Sequence, residues 1–495
     1  MTNEEKIGVV FTPKEWAQFA IERFGIFERW IHGATIFDPT MGSGDLLLAL
    51  LDLGVERGYS IESLPANKLF GNELSESNYK DAINRFQTEF NLDLGANFTN
   101  QDLLQLSSQK FDIILGNPPW VNFNDLPELY KHEIKDRFHE FDLIGNNKSL
   151  LLGGSRIDLA ALIIQRSMKD FLSEGGDAYL FMPLSLLLND GAHTTFRNFQ
   201  VMGIQYSLVS VHDFGEEKIF KNVATRYGLV HFQRDDTTNY PIEYFRMENK
   251  QWQKYQAKPL LNANDPLSIY KFGKPAPLDG FKPIVLPKKS APRQGINTCG
   301  ANSIFFFDEF ESINSQSCIV NGQDELPKEF VHPLLVSSNF SETTMSPQKW
   351  VLLPYSNSGK PLLEDEIAKH PLLQNYLLKH KTKLRARKGT MIRSWIERGI
   401  WWSLLGVGPY NFAPYKVVWE AYGKKTFRPK LVLGHWQVNQ SLQCYVPTDL
   451  KKEATLIHKA LRDPGIEEYL LSMKMEGTMN WAQPGKIKKL IQFEE

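Results

Sequence analysis

Short apolar runs alternate with longer helical stretches through the first half of this 495-residue chain. The apolar runs have the length of buried strands, and the stretches between them have the apolar spacing of helices. Strands that alternate with helices indicate βαβ units and a largely parallel sheet, so the predicted fold class is α/β. The predicted strands are residues 34–37, 69–71, 111–115, 178–182, 206–212 and 227–232, and the predicted helices are residues 45–53, 76–90 and 159–172.

A further helix is predicted over residues 12–31, ahead of the first strand. Thr12 and Glu15 have the spacing of a capping box, and Pro13 stands at the first helical position, where its missing N–H is tolerated. The sequence therefore marks a sharp helix start immediately after Phe11.

The domain boundary is predicted from a change in the sequence pattern near residue 245. Seven prolines occur between Pro259 and Pro292, where the alternation of strands and helices has faded. Proline-rich stretches are typical of linkers. We predict a first domain over residues 1–245 and a second over residues 246–495, with a linker over roughly 253–292. The second domain has turns, short strands and several helices in an order that the sequence does not assign.

Composition narrows the class of protein. Apolar residues make up 42% of the chain and charged residues 23%, which is typical of a globular protein with buried cores. Cys299, Cys318 and Cys444 lie far apart, so neither a disulfide framework nor a metal site is predicted, and a reducing cytoplasm fits. No apolar run approaches the ~18 residues of a membrane span, and the N-terminus lacks the apolar region of a signal peptide. We therefore expect a soluble, cytoplasmic protein.

A glycine-containing loop follows the first predicted strand and precedes a predicted helix. Its glycines let the backbone turn tightly and approach a ligand, and the helix start presents free amides. The loop has neither a full G-x-G-x-x-G pattern nor a Walker lysine, which argues against a dinucleotide or a nucleoside triphosphate. An ordinary turn is the alternative. The residues predicted to bind a ligand here are Asp38, Pro39, Gly42, Ser43 and Gly44.

Two acidic residues follow the next turns of the chain. Glu73 ends the second predicted strand, where nucleoside-binding folds place the acceptor for ribose hydroxyls. Asp102 follows a later turn and is suited to accept a hydrogen bond from an adenine amino group. A solvated surface carboxylate is the alternative for Asp102.

The tetrapeptide Asn117-Pro118-Pro119-Trp120 comes directly after the apolar strand at 111–115. The two prolines restrict the backbone and carry no N–H, so their carbonyls are free to accept hydrogen bonds. An asparagine side-chain oxygen beside a proline carbonyl makes a pair of acceptors for an exocyclic NH2 group. The alternative is a proline turn with Trp120 as core filler.

These motifs, in this order, resemble the gamma-arrangement S-adenosylmethionine-dependent DNA adenine N6-methyltransferases of restriction-modification and phage-defence systems. The resemblance covers residues 8–235 closely and the remainder more loosely. It implies a Rossmann-like seven-stranded methyltransferase sheet and a C-terminal mixed α+β target-recognition domain. It also implies S-adenosyl-L-methionine as cofactor, double-stranded DNA as partner, a separate restriction or defence subunit, and a bacterial or archaeal, nucleoid-associated location.

The same resemblance implies roles for individual residues. Phe11, Thr12 and Pro13 match a segment that lies over the methionine part of the cofactor. The glycine loop also contacts the methionine, Glu73 binds the ribose and Asp102 the adenine. Asp158 matches a segment that closes the cofactor pocket, although an alanine replaces the aromatic residue often found there. Phe220 is the best match for an aromatic residue that stacks on the flipped base, with Phe214 as the competing candidate. The predicted catalytic residues are Asn117, Pro118, Pro119, Trp120 and Phe220.

The predicted chemistry depends on how the adenine amine is held. Acceptance of hydrogen bonds by Asn117 and Pro118 would shift electron density onto N6, without a covalent enzyme intermediate. A stacked base cannot reach such a site, so it must be flipped out of the duplex. Carbon-5 cytosine methylation needs a cysteine nucleophile after a proline, which none of the three cysteines provides.

A basic, aromatic segment in the second half predicts a DNA surface. Residues 381–430 contain twelve basic and two acidic residues, although the net charge of the whole chain is -1. Basic residues interleaved with aromatic ones suit a surface that neutralises phosphates and contacts bases or sugars. The alternative is a solvated basic face over a separate aromatic core. The predicted DNA contacts are Lys288, Lys289, Arg293, Lys383, Arg385, Arg387, Lys388, Trp401, Trp402, Lys424, Lys425 and Arg428.

Three other functions stay open. An RNA adenine N6-methyltransferase would use the same site, and a protein glutamine N5-methyltransferase would hold a side-chain amide there. A non-catalytic DNA-binding subunit would keep the fold alone. The intact Glu73, Asn117 and Trp120 argue against that last function.

Overall fold

The computed structural model divides the chain into two compact units. The described residues up to Asp279 form unit 1, and those from Gly280 onward form unit 2. The structure describes residues 11–144, 157–189, 191–220, 223, 225–287, 290–340, 347–420, 426–442, 444–472, 482 and 484–493.

Unit 1 is built on one mixed sheet, which confirms the predicted α/β class. Among the described residues this sheet has eleven strands. The strands are β1 (Ile36–Asp38), β2 (Leu69–Asn72), β3 (Phe98–Thr99), β4 (Phe111–Gly116), β5 (Leu172–Pro183), β6 (Gln200–Val201), β7 (Ile204–Asp213), β8 (Tyr227–Arg234), β9 (Ile242–Glu248), β10 (Gln251–Pro259) and β11 (Leu267–Lys271).

The order of the strands is β11-β10-β9-β7-β8-β5-β4-β1-β2-β3, and β6 pairs with β7. Strands β3, β2, β1, β4 and β5 are parallel to one another, whereas β8 is antiparallel to both β5 and β7. The chain leaves β1 toward β2 on one side and returns to β4 on the other. Because a crevice opens where strand order reverses in this way, the carboxyl end of β1 is the expected place for a ligand.

The helices of unit 1 connect these strands. Helix α3 (Asp45–Glu56) is apolar nearly all round and buried, because it packs against the N-terminal helices and shares a hydrophobic cluster with β1, β2 and β4. The helices are α1 (Lys14–Arg23), α2 (Ile26–Ile31), α3 (Asp45–Glu56), α4 (Glu76–Phe90), α5 (Glu128–Ile134), α6 (Arg137–Glu140), α7 (Leu159–Arg166) and α8 (Ser185–Leu188). Helix α7 continues into a π-helical turn, Ser167–Phe171.

The sheet is longer than the expected seven strands, and unit 1 extends beyond the expected boundary at residue 245. Strand β9 pairs in parallel with β7, and β10 and β11 continue the sheet by antiparallel pairing. Part of the predicted linker is therefore strand. The prolines do not mark a linker here. They lie at strand ends, as Pro259 does, or between strands, where they do not interrupt the hydrogen bonds between paired strands.

The N-terminal helix differs from the prediction in two respects. It is divided at Gly25, which has a left-handed backbone with φ +61° and separates α1 from α2. The residue that caps α1 is Pro13, whose carbonyl accepts from Trp16 and Ala17, and no side chain caps this end. The predicted capping box is therefore absent, because the Thr12 hydroxyl is used elsewhere.

Unit 2 contains several small sheets. Strands β13, β18, β17 and β21 form one, β14–β16 a second, β20, β19 and β22 a third, and β12 pairs with β23. The strands are β12 (Ile284–Leu286), β13 (Phe306–Phe307), β14 (Phe310–Ser312), β15 (Ser317–Val320), β16 (Asp324–Pro327), β17 (Val331–Leu335), β18 (Trp350–Leu352), β19 (Tyr415–Trp419), β20 (Lys430–Leu433), β21 (Gln437–Val438), β22 (Cys444–Thr448) and β23 (Ile491–Phe493).

The helices of unit 2 are short, and they pack beside these sheets. Helix α12 lies against β16, and α15 lies against the sheet that contains β19. The helices are α9 (Asn302–Phe305), α10 (Ser337–Phe340), α11 (Glu364–Ile367), α12 (Pro371–Lys379), α13 (Lys381–Arg385), α14 (Thr390–Glu397), α15 (Lys451–Leu461), α16 (Pro464–Ser472) and α17 (Pro484–Lys488).

Candidate active site

A cleft with about 800 Å³ of empty space, part of it open solvent, lies at the carboxyl ends of β1, β2 and β4 in unit 1. It is lined by Phe11, Thr12, Asp38, Thr40, Met41, Gly42, Asp45, Leu46, Asn72, Glu73, Leu74, Asp102, Leu103, Asn117, Pro119, Tyr130, Leu159 and Ile163.

The structure brings half of the predicted cofactor and catalytic residues to this cleft. Because parallel strands end at the same edge of a sheet, the loops after β1, β2 and β4 meet there. Among the predicted cofactor and catalytic residues, those that line the cleft are Phe11, Thr12, Asp38, Gly42, Glu73, Asp102, Asn117 and Pro119. Pro13, Pro39, Ser43, Gly44, Pro118, Trp120, Asp158 and Phe220 are not among its lining residues.

The glycine loop is shaped by positive φ angles and close packing. Gly42 has φ +55° and Gly44 has φ +86°, a region that side chains rarely adopt. A Cβ on Gly44 would lie only 2.9 Å from the Phe86 ring of α4. Arg85 of the same helix donates to the Ser43 carbonyl at 3.0 Å and to the Asp45 carboxylate at 2.6 Å. Helix α4 therefore holds the loop from outside the cleft.

Asn72 and Glu73, at the end of β2, hydrogen-bond to the loops that line the cleft. The Asn72 amide donates to the carbonyls of Pro39 (3.3 Å) and Gln101 (3.1 Å). One Glu73 oxygen accepts from the Gly42 amide at 2.9 Å, and the other accepts from the Ser75 amide at 2.8 Å. Glu73 therefore shapes the glycine loop in addition to lining the cleft. The sequence predicts only a ligand-binding role for Glu73.

The cleft is strongly acidic. Asp38, Asp45, Glu73 and Asp102 all line it. Burial raises the pKa of Asp38 well above its usual value, and the neighbouring Glu73 and Asp45 carboxylates raise it further. Burial likewise raises the pKa of Asp102. A ligand that carries positive charge would offset the repulsion between these carboxylates and favour their charged form.

The Asn117 side chain is oriented by a residue from the N-terminal segment. Its Nδ2 donates to the Thr12 hydroxyl at 3.1 Å. The Asn117 backbone carbonyl accepts from the Thr40 hydroxyl of the glycine loop at 3.3 Å. With Nδ2 committed to Thr12, the side-chain oxygen is the atom of this amide suited to accept from a ligand.

Trp120 lies in an aromatic cluster beside Asn117. Its ring centroid is 4.9 Å from that of Phe220 and 5.3 Å from that of Tyr227. Phe220 is only 2% exposed, and its ring is edge-on to Trp120. Phe214, the competing candidate, is fully buried against Trp16, Phe181 and Tyr227. Of the two phenylalanines, Phe220 is the one in contact with the tetrapeptide.

Asp158 has a structural use that the sequence analysis did not foresee. It is the N-cap of α7, and its carboxylate accepts from the Ala160 amide at 2.9 Å. Burial raises the pKa of this carboxyl group to about 7. Closure of the cofactor pocket by Asp158 stays a prediction. Leu159 and Ile163, on the same helix, line the cleft instead.

Tyr130 and several apolar side chains at the cleft were missed. Tyr130 lies on α5, half-buried, and burial together with the Asp102 charge raises its pKa. Leu74 and Leu103 directly follow the predicted polar residues Glu73 and Asp102. That adjacency was the available signal for the two leucines. No sequence pattern predicted that Tyr130 lies at the cleft, because α5 reaches the cleft only through the tertiary fold.

Three of the predicted DNA contacts lie in the core of unit 2. Arg387 is 6% exposed and donates to the backbone carbonyls of Leu384, Thr298, Ser403 and Trp401. Trp401 and Trp402 are 7% and 2% exposed, and the Trp402 indole donates to the Leu362 carbonyl. These three predictions are wrong in this fold. The aromatic rings here form a separate core, as the alternative interpretation had it.

Other predicted contacts are exposed. Lys383, Arg385, Lys388 and Arg428 are all solvent-exposed. Arg293 is half-buried: its guanidinium lies 4.5 Å from the centre of the Tyr410 ring, and its backbone pairs with Tyr445. Lys288, Lys289, Lys424 and Lys425 lie outside the described residues.

The described residues contain no group of three or more His, Cys, Asp or Glu residues placed to hold a metal ion. Within the same ranges, no helix combines the length and the apolar character that crossing a bilayer requires.

Residues 46–220 match the model of the Eco57I restriction-modification methylase family. The match includes Glu73, Asp102 and the Asn-Pro-Pro-Trp tetrapeptide, and it begins just after the glycine loop. The match covers 175 of the 495 residues, so it is a likeness of this segment to restriction-modification methylases.

Individual proteins are similar to this chain in sequence or in fold. The chain is 29% identical over 125 residues to the modification methylase CviBIII of Paramecium bursaria Chlorella virus NC1A, covering 24% of this chain and 28% of that protein. The solved structure of the type IIL restriction-modification enzyme MmeI in complex with DNA has a TM-score of 0.52 at 16% identity, covering 88% of this chain. A DrdV–DNA complex has a TM-score of 0.49 at 11% identity, covering 94% of this chain. The chain spans 60% of the MmeI chain and 53% of the DrdV chain.

Proposed function

We propose that this protein transfers a methyl group from S-adenosylmethionine to the N6 amino group of a flipped adenine in duplex DNA. The observation that carries the proposal is the Asn117 amide at the cleft edge, oriented by its 3.1 Å hydrogen bond to Thr12. The family match over residues 46–220 supports the general class. Membership of the gamma arrangement rests on the order of the motifs along the chain.

The residues of the cleft fit the cofactor. Glu73 and Asp102 supply acceptors for ribose hydroxyls and an adenine amino group, while Leu74 and Leu103 offer apolar surface for the purine. The acidic lining suits a molecule that carries a sulfonium and an ammonium group. When bound, S-adenosylmethionine supplies an electrophilic methyl group.

The chain's own residues would act by holding the adenine amine. The Asn117 side-chain oxygen and the Pro118 carbonyl would accept its two hydrogens, which shifts electron density onto the nitrogen and sets its direction. Trp120, backed by its aromatic neighbours, would give the base a flat surface, worth about 1–3 kcal/mol per stacked contact. Positioning and fixed dipoles would therefore supply most of the acceleration.

Unit 2 is proposed to recognise the DNA target. Its exposed basic residues Lys383, Arg385 and Lys388 are available to neutralise phosphates. The MmeI structure, which resembles this chain in fold, was solved in complex with DNA. A separate restriction or defence subunit is a further proposed partner.

The test is methylation by the purified full-length chain with labelled S-adenosylmethionine. Duplex DNA, RNA and a release factor are offered in parallel, and the products are identified by mass spectrometry. We expect N6-methyladenine in DNA alone. Asn117→Ala should abolish transfer while cofactor binding persists, and sequencing of the product should give the target site. Label in RNA or in glutamine would replace the proposal with one of the alternatives, and no label in any substrate would favour a non-catalytic DNA-binding subunit.

A further inference from the structure

The Tyr227 hydroxyl holds the chain segment that carries Phe220. It accepts hydrogen bonds from the amides of Ile219 (2.9 Å) and Phe220 (3.4 Å). It also donates its proton to the Glu217 carbonyl at 2.9 Å. A phenol has one donor hydrogen and two acceptor lone pairs, so its hydrogen-bonding capacity is fully used within this one segment.

The Tyr227 ring also supports Trp120. It stacks against Trp120 with an interplanar angle of 29° and meets Phe220 edge-on at a centroid distance of 4.9 Å. The Trp120 indole is held separately by donation to the Phe181 carbonyl at 3.3 Å. Tyr227 is therefore the side chain that contacts Trp120 by its ring and residues 217–220 by its hydroxyl.

The position of Tyr227 is itself secured by a buried ion pair. Its neighbour Arg226 donates Nε to both carboxylate oxygens of Asp213 at 3.1 Å, and both side chains lie in the interior. Tyr244 donates to the same carboxylate at 2.7 Å. Burial would raise the pKa of Asp213, but Arg226 and Tyr244 hold it below its usual value, so the carboxylate stays charged. The start of β8 is thus tied to the end of β7.

We infer that Tyr227 is a positioning residue for the target base: it fixes the Trp120 indole against its own ring and the buried Phe220, so that an extruded adenine meets a Trp120 face of fixed orientation. The inference rests on the proposed function and extends it to a residue that no motif contains. Because Tyr227 is not among the residues that line the cleft, its loss should leave cofactor binding intact.

The experiment compares Tyr227→Phe, which keeps the ring but removes three hydrogen bonds, with Tyr227→Leu, which removes the stacking as well. Each variant is measured for kcat, KM for DNA, cofactor Kd and emission of 2-aminopurine at the target adenine. We expect Tyr227→Phe to lower kcat and the 2-aminopurine signal about tenfold, Tyr227→Leu to lower both further, and neither to change the cofactor Kd. Rates are normalised to the fraction of protein that binds cofactor, so partial misfolding cannot imitate the effect.

The matched control is Tyr206→Phe. Tyr206 is a fully buried tyrosine of β7 whose hydroxyl donates to Gln165 at 2.9 Å. This variant should lose stability but keep kcat and the 2-aminopurine signal. If the wild type methylates adenine and Tyr227→Phe equals it in both readouts, the positioning role is overturned while the proposed function stands. A wild type that makes no N6-methyladenine overturns both.

Discussion

The side-chain amide of Asn117 donates to the hydroxyl of Thr12 across 3.1 Å, although 105 residues separate them in the chain. Thr12 precedes α1, whereas Asn117 follows β4. An asparagine amide can face a ligand with either its oxygen or its nitrogen, and a fixed acceptor on one side removes that freedom. The N-terminal segment thereby selects the hydrogen-bonding face of the candidate catalytic residue.

Replacement of Thr12 should therefore reduce turnover. Thr12→Val keeps the shape but removes the acceptor, and one hydrogen bond of about 1 kcal/mol corresponds to a roughly five- to tenfold lower kcat. Thr12→Ser retains the hydroxyl and should stay within about twofold of wild type. Single-turnover methylation measures both. Equal rates for Val and wild type would show that the amide is oriented without Thr12.

Substitution of Gly44 should weaken cofactor binding. Gly44→Ala places a Cβ 2.9 Å from the Phe86 ring on a backbone with φ +86°, so the loop must shift. Gly33→Ala is the control, because Gly33 has φ +99° but nothing within 4 Å of the added Cβ. Both variants carry backbone strain of about 1–3 kcal/mol, whereas only Gly44→Ala should raise the cofactor Kd, by about tenfold or more. Calorimetric titration distinguishes the two variants. An equal cofactor Kd for both would show that the glycine loop does not contribute to cofactor binding.

Asp158 should make stability depend on pH. Its folded-state pKa of about 7 lies above the unfolded value, so the native state binds the proton more tightly. The resulting stabilisation is complete below about pH 4 and is lost as the pH rises toward about 7, up to about 4 kcal/mol. Asp158→Asn remains a good N-cap but does not titrate. Urea unfolding from about pH 4 to pH 8 should therefore show a smaller decline for the variant than for wild type. An identical decline in the free energy of unfolding for the variant and wild type would show that Asp158 does not cause the pH dependence.

Two neighbouring arginines in unit 2 should behave oppositely. Arg385 is exposed, so Arg385→Gln should weaken DNA binding and reduce the slope of log affinity against log salt by about 0.9, with stability unchanged. Arg387 is buried on backbone carbonyls, so Arg387→Gln should cost about 2–4 kcal/mol of stability. Thermal unfolding and salt-dependent DNA titrations separate the two effects. A salt slope unchanged by Arg385→Gln would remove this residue from the DNA surface.

The parallel pairing of β1, β2, β4 and β5 was predictable from local patterns, and so was the position of Asp38, Glu73 and Asn117 at one edge of the sheet. The order of the strands was not predicted. A strand that alternates with a helix specifies a parallel neighbour, and the residue after each strand then falls at the same edge. The eleven-strand extent was not predictable, because β9 to β11 pair by hairpins and by a contact with β7 whose signals resemble those of a linker.

Burial in unit 2 was decided by tertiary packing alone. Residues 381–430 alternate basic and aromatic side chains, and such a pattern does not state which face turns inward. Arg387 is interior because four carbonyls converge on its guanidinium, while Arg385, two residues earlier, faces solvent. Tertiary packing also decides the hydrogen bond between Thr12 and Asn117 and the stacking of Tyr227 on Trp120. Local chemistry predicted a catalytic role for the tetrapeptide Asn117-Pro118-Pro119-Trp120. The residues that orient it come from distant parts of the chain, and only the folded sheet brings them within hydrogen-bonding and van der Waals distance.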